Sequence, residues 1–191
     1  SILTITPEAD WNGTDEVTVT VSDGNGGETS VTFTLVVTPV NDAPRLDELL
    51  DASVAEDNEY TLELDGEDID GDALIFSASV AENGSASVEG STLTVTSDQD
   101  FNGDLVVNVL ASDGQASGSG SFTLTVTPVN DAPVVDAIAQ SYIDEDTALS
   151  LDVSATDVDG DDLSYSSSSG SFDGSILTIT PEADWNGTDE V

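Results

Sequence analysis

Residues 1–17 read SILTITPEADWNGTDEV, and the same letters return at 175–191, 174 positions later. Identity over such a length does not arise by chance. The chain is therefore built from repeats, and this bounds the fold before any other feature is weighed. A second motif sets the period: TPVNDAP stands at Thr38–Pro44 and again at Thr127–Pro133, 89 positions apart. One complete unit, Arg45–Pro133, takes 89 residues, and the other 85 are spread over Val134–Val191 followed by Thr18–Pro44. The chain thus divides into 1–44, the tail of one unit; 45–133, a whole unit; and 134–191, the head of another. It begins and stops in mid-pattern, so we expect a piece of a longer protein.

Within the whole unit, apolar residues alternate with polar ones at a period of two, and many of them are β-branched. That pattern marks strands with one face buried. It runs through Thr61–Asp65, Leu74–Ser79, Ser91–Thr96, Asp104–Ala111 and Ser121–Thr127, with weaker strands at Leu49–Ala55 and Ser85–Val88. Threonine is the usual outward residue, as suits a solvated sheet face. Asp-Gly and Asn-Gly pairs separate the strands. No stretch has a helical period. Seven short strands in one repeat predict an immunoglobulin-like β-sandwich, so the fold class is all-β, with tandem sandwiches, one complete and two partial. The first 44 residues should carry the last three strands (Ile2–Thr6, Glu16–Ser22, Ser30–Thr38). The last segment should carry the first five, ending in Ile176–Thr180. We expect only Arg45–Pro133 to be independently stable, unless the head of one chain completes the tail of another.

The charge balance narrows the partners. There are 40 acidic residues, one basic residue (Arg45) and no histidine, for a net charge of −39. Such a chain repels nucleic acid and anionic membranes, and its natural partners are cations. The absence of cysteine removes disulfides and thiolate metal sites. No apolar run approaches a membrane span, and no signal peptide is visible.

The acids are not spread evenly. If the seven strands alternate up and down, the first, third and fifth connections lie at the pole where the last strand leaves. In the whole unit that pole collects Glu56, Asp57, Asp98 and Asp100, followed by Asn130 and Asp131. The opposite pole collects Asp68, Asp70, Asp72 and Asp113. Stacked end to end, the units bring Asp10, Asn41 and Asp42 toward Asp68, Asp70 and Asp113, and bring Asn130 and Asp131 toward Asp157, Asp159 and Asp161. The paired prolines of each TPVNDAP connector cannot donate to a sheet and hold the backbone extended, so its amide and carboxylate sit on a short, stiff link. Crowded carboxylates repel one another, and a hard divalent cation relieves that repulsion. Calcium takes six to eight oxygens at about 2.3–2.6 Å from carboxylates, amides and carbonyls. Magnesium prefers strict octahedral geometry and keeps its water. Zinc lacks its histidine and cysteine ligands here.

Other readings of the same residues are weaker. Asp68-x-Asp70-Gly71-Asp72 begins like an EF-hand loop, yet Ala73 and Ser79 stand where glycine and glutamate are required. The copy from Asp157 fails in the same way. Trp11 and Trp185 in DWNG could serve as a carbohydrate platform, but Phe101 takes their place in DFNG, which favours an aromatic plug beneath a turn. With no histidine, cysteine or lysine, and one arginine, the inventory for catalysis is poor, so we expect no enzyme. General acidity can also be a solvated surface in salty surroundings, which does not account for gathering at the poles.

At these residues the chain resembles the cadherin-like repeats of large bacterial surface adhesins and, more distantly, cadherin ectodomains. Val153–Asp159 (VSATDVD) is similar to the family's second-strand motif. Val109–Gly114 and Val19–Gly24, which contain Asp113 and Asp23, are similar to its sixth-strand motif, and Thr127–Pro133 to its linker. Asp98-Gln99-Asp100, with Glu8-Ala9-Asp10 at the matching place, resembles its acidic triplet, here with Gln or Ala in the middle. Glu56 and Glu145 match its early glutamate. The resemblance implies calcium binding between successive domains by these residues, in a stiff extracellular extender, at the cell surface or secreted, that supports adhesion. The partners implied are neighbouring repeats of the same chain; the receptor is left open. Two other readings stand beside it: a module that itself binds a glycan or protein, and a spacer in a secreted multidomain enzyme.

Overall fold

Valine and threonine alternate through the first hairpin, and there β1 (Gly13–Ser22) pairs antiparallel with β2 (Glu28–Val37), in register from Gly13–Val37 to Ser22–Glu28. The computed structural model describes residues 1–188. It consists of two units, Ser1–Thr127 and Pro128–Val191.

In the first unit the hairpin is followed by β3 (Arg45–Leu46), β4 (Ala52–Ala55), β5 (Tyr60–Glu63), β6 (Gly66–Glu67), β7 (Ile75–Val80), β8 (Gly84–Glu89), β9 (Thr92–Ser97), β10 (Gly103–Ser112) and β11 (Ser117–Thr127). All seven strands expected in the whole repeat are present. The two-residue pair β3–β6 is additional, too short to carry a period in the sequence. One sheet runs β4-β11-β10-β7 and another β5-β9-β8. Strand β4 lies parallel to β11, as seven alternating strands require of the first and last, and the other pairings are antiparallel.

The alternation decides which side chains meet. Leu105, Val107 and Val109 of β10 and Phe122, Leu124 and Val126 of β11 point inward. They pack with Leu93 and Val95 of β9 and with Leu64 in one core. Burial of each such side chain stabilises the sandwich by roughly 1.5–3 kcal/mol. The core sits in the whole repeat, while β1 and β2 leave Val21, Val31 and Val36 more than half exposed.

The second unit holds β12 (Val134–Val135), β13 (Leu149–Asp152), β14 (Ala155–Thr156), β15 (Ser171–Asp173) and β16 (Ile176–Ile179). Its sheets are β13-β16-β15 and β12-β14, with Val153 and Leu177 buried. Of the five strands expected here, the counterparts of β5, β8 and β9 form, and those of β4 and β7 do not. In the whole repeat β4 and β7 are held by β11 and β10, and no such pair lies among the described residues of this unit. The expectation for Ile2–Thr6 fails for the same reason. It is the counterpart of β9, no strand among the described residues pairs with it, and it is not a strand.

Candidate metal-binding joint

The first TPVNDAP connector ends in Pro44, which is buried. Its carbonyl oxygen lies so near Gly118 that a Cβ there would collide with it, so β11 accepts the connector only with glycine at that point. This close approach sets Asn41 and Asp42 over two loops of the repeat that follows.

The first loop is Asp68–Asp72. Asp68 Oδ1 accepts the N–H groups of Asp70 (2.9 Å) and Asp72 (3.3 Å), and its carbonyl accepts Gly71 N–H at 3.1 Å. These bonds fold the segment back and turn Asp70 toward the connector, where its Oδ2 accepts the Asp42 N–H at 2.8 Å. The other carboxylate oxygen of Asp68, Oδ2, is buried and has no hydrogen-bond partner. Asp10, Asp42, Arg45, Glu67 and Asp68 line a cleft of about 340 Å³ beside it.

The second loop is the β10–β11 turn. Asp113 Oδ1 accepts the N–H groups of Gln115 and Ala116, both at 2.6 Å, and Oδ2 accepts the Asn41 amide at 2.8 Å. The Ala116 N–H, then the Asn41 amide and the Gln115 N–H, hold this carboxyl below the usual aspartate range. Asp23, at the same place in the β1–β2 turn, is lowered likewise by the N–H groups of Asn25 and Gly27. It is folded onto its own loop.

The second unit repeats the first-loop geometry bond for bond. Asp157 Oδ1 accepts Asp159 N–H (3.0 Å) and Asp161 N–H (3.2 Å), and Asp159 Oδ2 accepts the Asp131 N–H at 2.7 Å. Asn130 and Asn41 each donate their amide to the next residue's carbonyl, at 2.8 and 2.9 Å.

The expected gathering of Asn41, Asp42, Asp70 and Asp113 is therefore present, as is that of Asp131 with Asp159. At the opposite pole of the whole repeat, Asp57 and Asp100 each place a carboxylate oxygen within 4.8 Å of the other's. Both have positive φ, 62° and 56°, a conformation aspartate tolerates in turns. Glu56 is 1% exposed, the one buried charged residue among those described. Asp98 is exposed and closes the turn to Phe101 through its carbonyl. Glu145, the counterpart of Glu56, is exposed. Gln115, which donates to Asn41 Oδ1 at 2.8 Å, was not read from the sequence, and nothing in its surroundings there marks it. The same holds for Glu67.

No helix among the described residues is long and apolar enough to cross a membrane. No curated protein matches the chain. Among solved structures, an endo-fucoidan hydrolase of glycoside hydrolase family 107 is 19% identical with a TM-score of 0.41, over 92% of this chain and 30% of that one. Drosophila N-cadherin EC1-3 is 15% identical with a TM-score of 0.39, over 62% of this chain and 44% of its own. Domains 4 and 5 of the S-layer protein SbsC are 17% identical with a TM-score of 0.37, over 60% and 59%. The chain spans less than a third of the hydrolase it is similar to. The bacterial Ig domain family matches three times in succession, over residues 1–36, 41–127 and 130–191, which agrees with the repeated strands and connectors, and the chain belongs to that family.

Proposed function

We propose that the chain is an extender segment of a bacterial cell-surface or secreted adhesin, in which calcium ions bound at the joints stiffen a row of Ig-like repeats. The observation that carries this reading is the duplicated joint. A connector N–H meets the middle carboxylate of an Asp-x-Asp-Gly-Asp loop at 2.8 Å in one place and 2.7 Å in the other. In the first, a buried Asp68 oxygen stands without a donor. A buried carboxylate oxygen in that state is unfavourable, and a cation is the partner that suits it. The donors are all oxygens, the set that favours a hard ion. Asp10, Asp42, Asp68 and Asp70 would hold the ion at the first joint, and Asp131, Asp157 and Asp159 offer the same chemistry in the second unit. Once bound, the ion supplies charge neutralisation and a rigid link. In this reading the chain extends and stiffens and performs no catalysis.

Calorimetric titration of the chelator-treated chain with calcium chloride tests it. The expected affinity is about 0.1–1 mM, the range of extracellular modules, together with a higher Tm. Asp68→Asn should remove part of the binding heat while leaving the whole repeat folded. Absence of heat at millimolar calcium, with the same Tm in chelator, would overturn the reading.

A further inference from the structure

We propose that Asn41 is the pin of a metal-independent latch that fixes the first connector to the repeat after it. The amide of Asn41 is fully engaged. Its nitrogen donates to Asp113 Oδ2 at 2.8 Å and to the Asp42 carbonyl at 2.9 Å, and its oxygen accepts from Gln115 Nε2 at 2.8 Å. Two of these bonds span 72 and 74 positions of sequence, so they tie the connector to the β10–β11 turn. The turn is itself rigid, because Asp113 Oδ1 takes the Gln115 and Ala116 N–H groups. Asp113 therefore works with both oxygens: one shapes its loop and the other reaches the connector.

Amide–carboxylate hydrogen bonds need no cation. The residues of this joint thus divide by chemistry. Asp42 lines the cleft beside the Asp68 oxygen that lacks a donor, whereas Asn41, Asp113 and Gln115 satisfy one another. The loop half of the latch recurs in β1–β2, where Asp23 Oδ1 accepts the N–H groups of Asn25 at 2.8 Å and Gly27 at 2.9 Å. The inference does not depend on the calcium reading. It holds or fails in chelator, where the other cannot act.

The chain has no cysteine, so labels can be placed at will. Spin labels at Thr34→Cys in β2 and Glu89→Cys in β8 of the full chain would report the distance distribution across the joint, with chelator in excess. The parent chain should give a narrow distribution. Asn41→Ala and Gln115→Ala should each broaden it by about twofold, since each removes a bond to a charged or fully paired group. Asn41→Asp sets two carboxylates face to face and should broaden it further. Combining Asn41→Asp with Asp113→Asn restores a donor and an acceptor in exchanged positions and should narrow it again. Equal widths for the parent and Asn41→Ala in chelator, or a double exchange no narrower than Asn41→Asp alone, would overturn the proposal.

Discussion

Ile176–Ile179 is a paired strand, and Ile2–Ile5, spelled with the same letters, is not. Leu177 is 6% exposed and its twin Leu3 is 59% exposed. A few residues further on, the two copies agree closely. Trp11 N–H donates to the Glu8 carbonyl at 3.3 Å and Trp185 N–H to that of Glu182 at 3.1 Å. Asp10 and Asp184 have φ of 62° and 58°, and Gly13 and Gly187 have 149° and 158°. A Cβ on either glycine would stand 3.3 or 3.1 Å from its tryptophan ring, so the ring covers the glycine in both. Phe101 over Gly103 makes the same turn a third time. The turn closes its tryptophan N–H bond locally and carries its own plug, so it forms in both copies, although Asp184 N–H also reaches Asp146 Oδ1 at 3.1 Å in the second. The strand must find neighbours, β13 and β15 in one copy, and without them the same β-branched residues remain unpaired.

The comparison can be broken most directly at its apolar residues. Leu177→Ala should destabilise the second unit by about 2–4 kcal/mol, as removal of a buried leucine does. Leu3→Ala should change stability by less than about 0.5 kcal/mol, the usual surface effect. Urea unfolding read by amide exchange in β13 and β16 would measure both, and equal effects would show that context does not separate the copies. The turn should behave in the opposite way. Gly13→Ala and Gly187→Ala should each cost about 1–3 kcal/mol locally, because both demand a positive φ and both crowd a ring. Exchange of the Trp11 and Trp185 amides reports this, and a large difference between the two would mean the turn also depends on its surroundings.

The smallest effect expected is that of pH on the hairpin loops. Asp23 and Asp113 have folded pKa values below the ordinary one. Their contribution to stability is complete above the unfolded value, about pH 4, and is lost as pH falls through the lower folded value. Carbon-13 shifts of the two carboxyls should titrate below the ordinary aspartate value. A midpoint at the ordinary value for Asp113 would mean that neither Asn41 nor the loop N–H groups hold it.

The whole repeat was legible in the sequence because its strands are long enough for alternation to repeat several times, as in Leu105, Val107 and Val109. Arg45–Leu46 and Gly66–Glu67 were not, since two residues have no period. Ile2–Thr6 was misread for the converse reason: its pattern is sound, and what a strand also needs lies outside the pattern. At the joint, carboxylates could be placed by counting strands, and Asp42 does meet Asp70. Which oxygen would lack a donor, and that Asn41 would be taken up by Asp113 and Gln115, depends on side-chain directions that spacing does not encode.

The parallel seating of β4 beside β11 bears on how the repeat answers tension. Strand β4, which follows the short β3, and the exit strand β11 lie side by side and point the same way, in register from Ala52–Leu124 to Ala55–Thr127. A pull from the two connectors draws these strands past each other lengthwise. The bonds between them, together with Glu56 N–H on the Thr127 carbonyl at 2.9 Å, are then loaded in shear all at once instead of parting one by one like a zip.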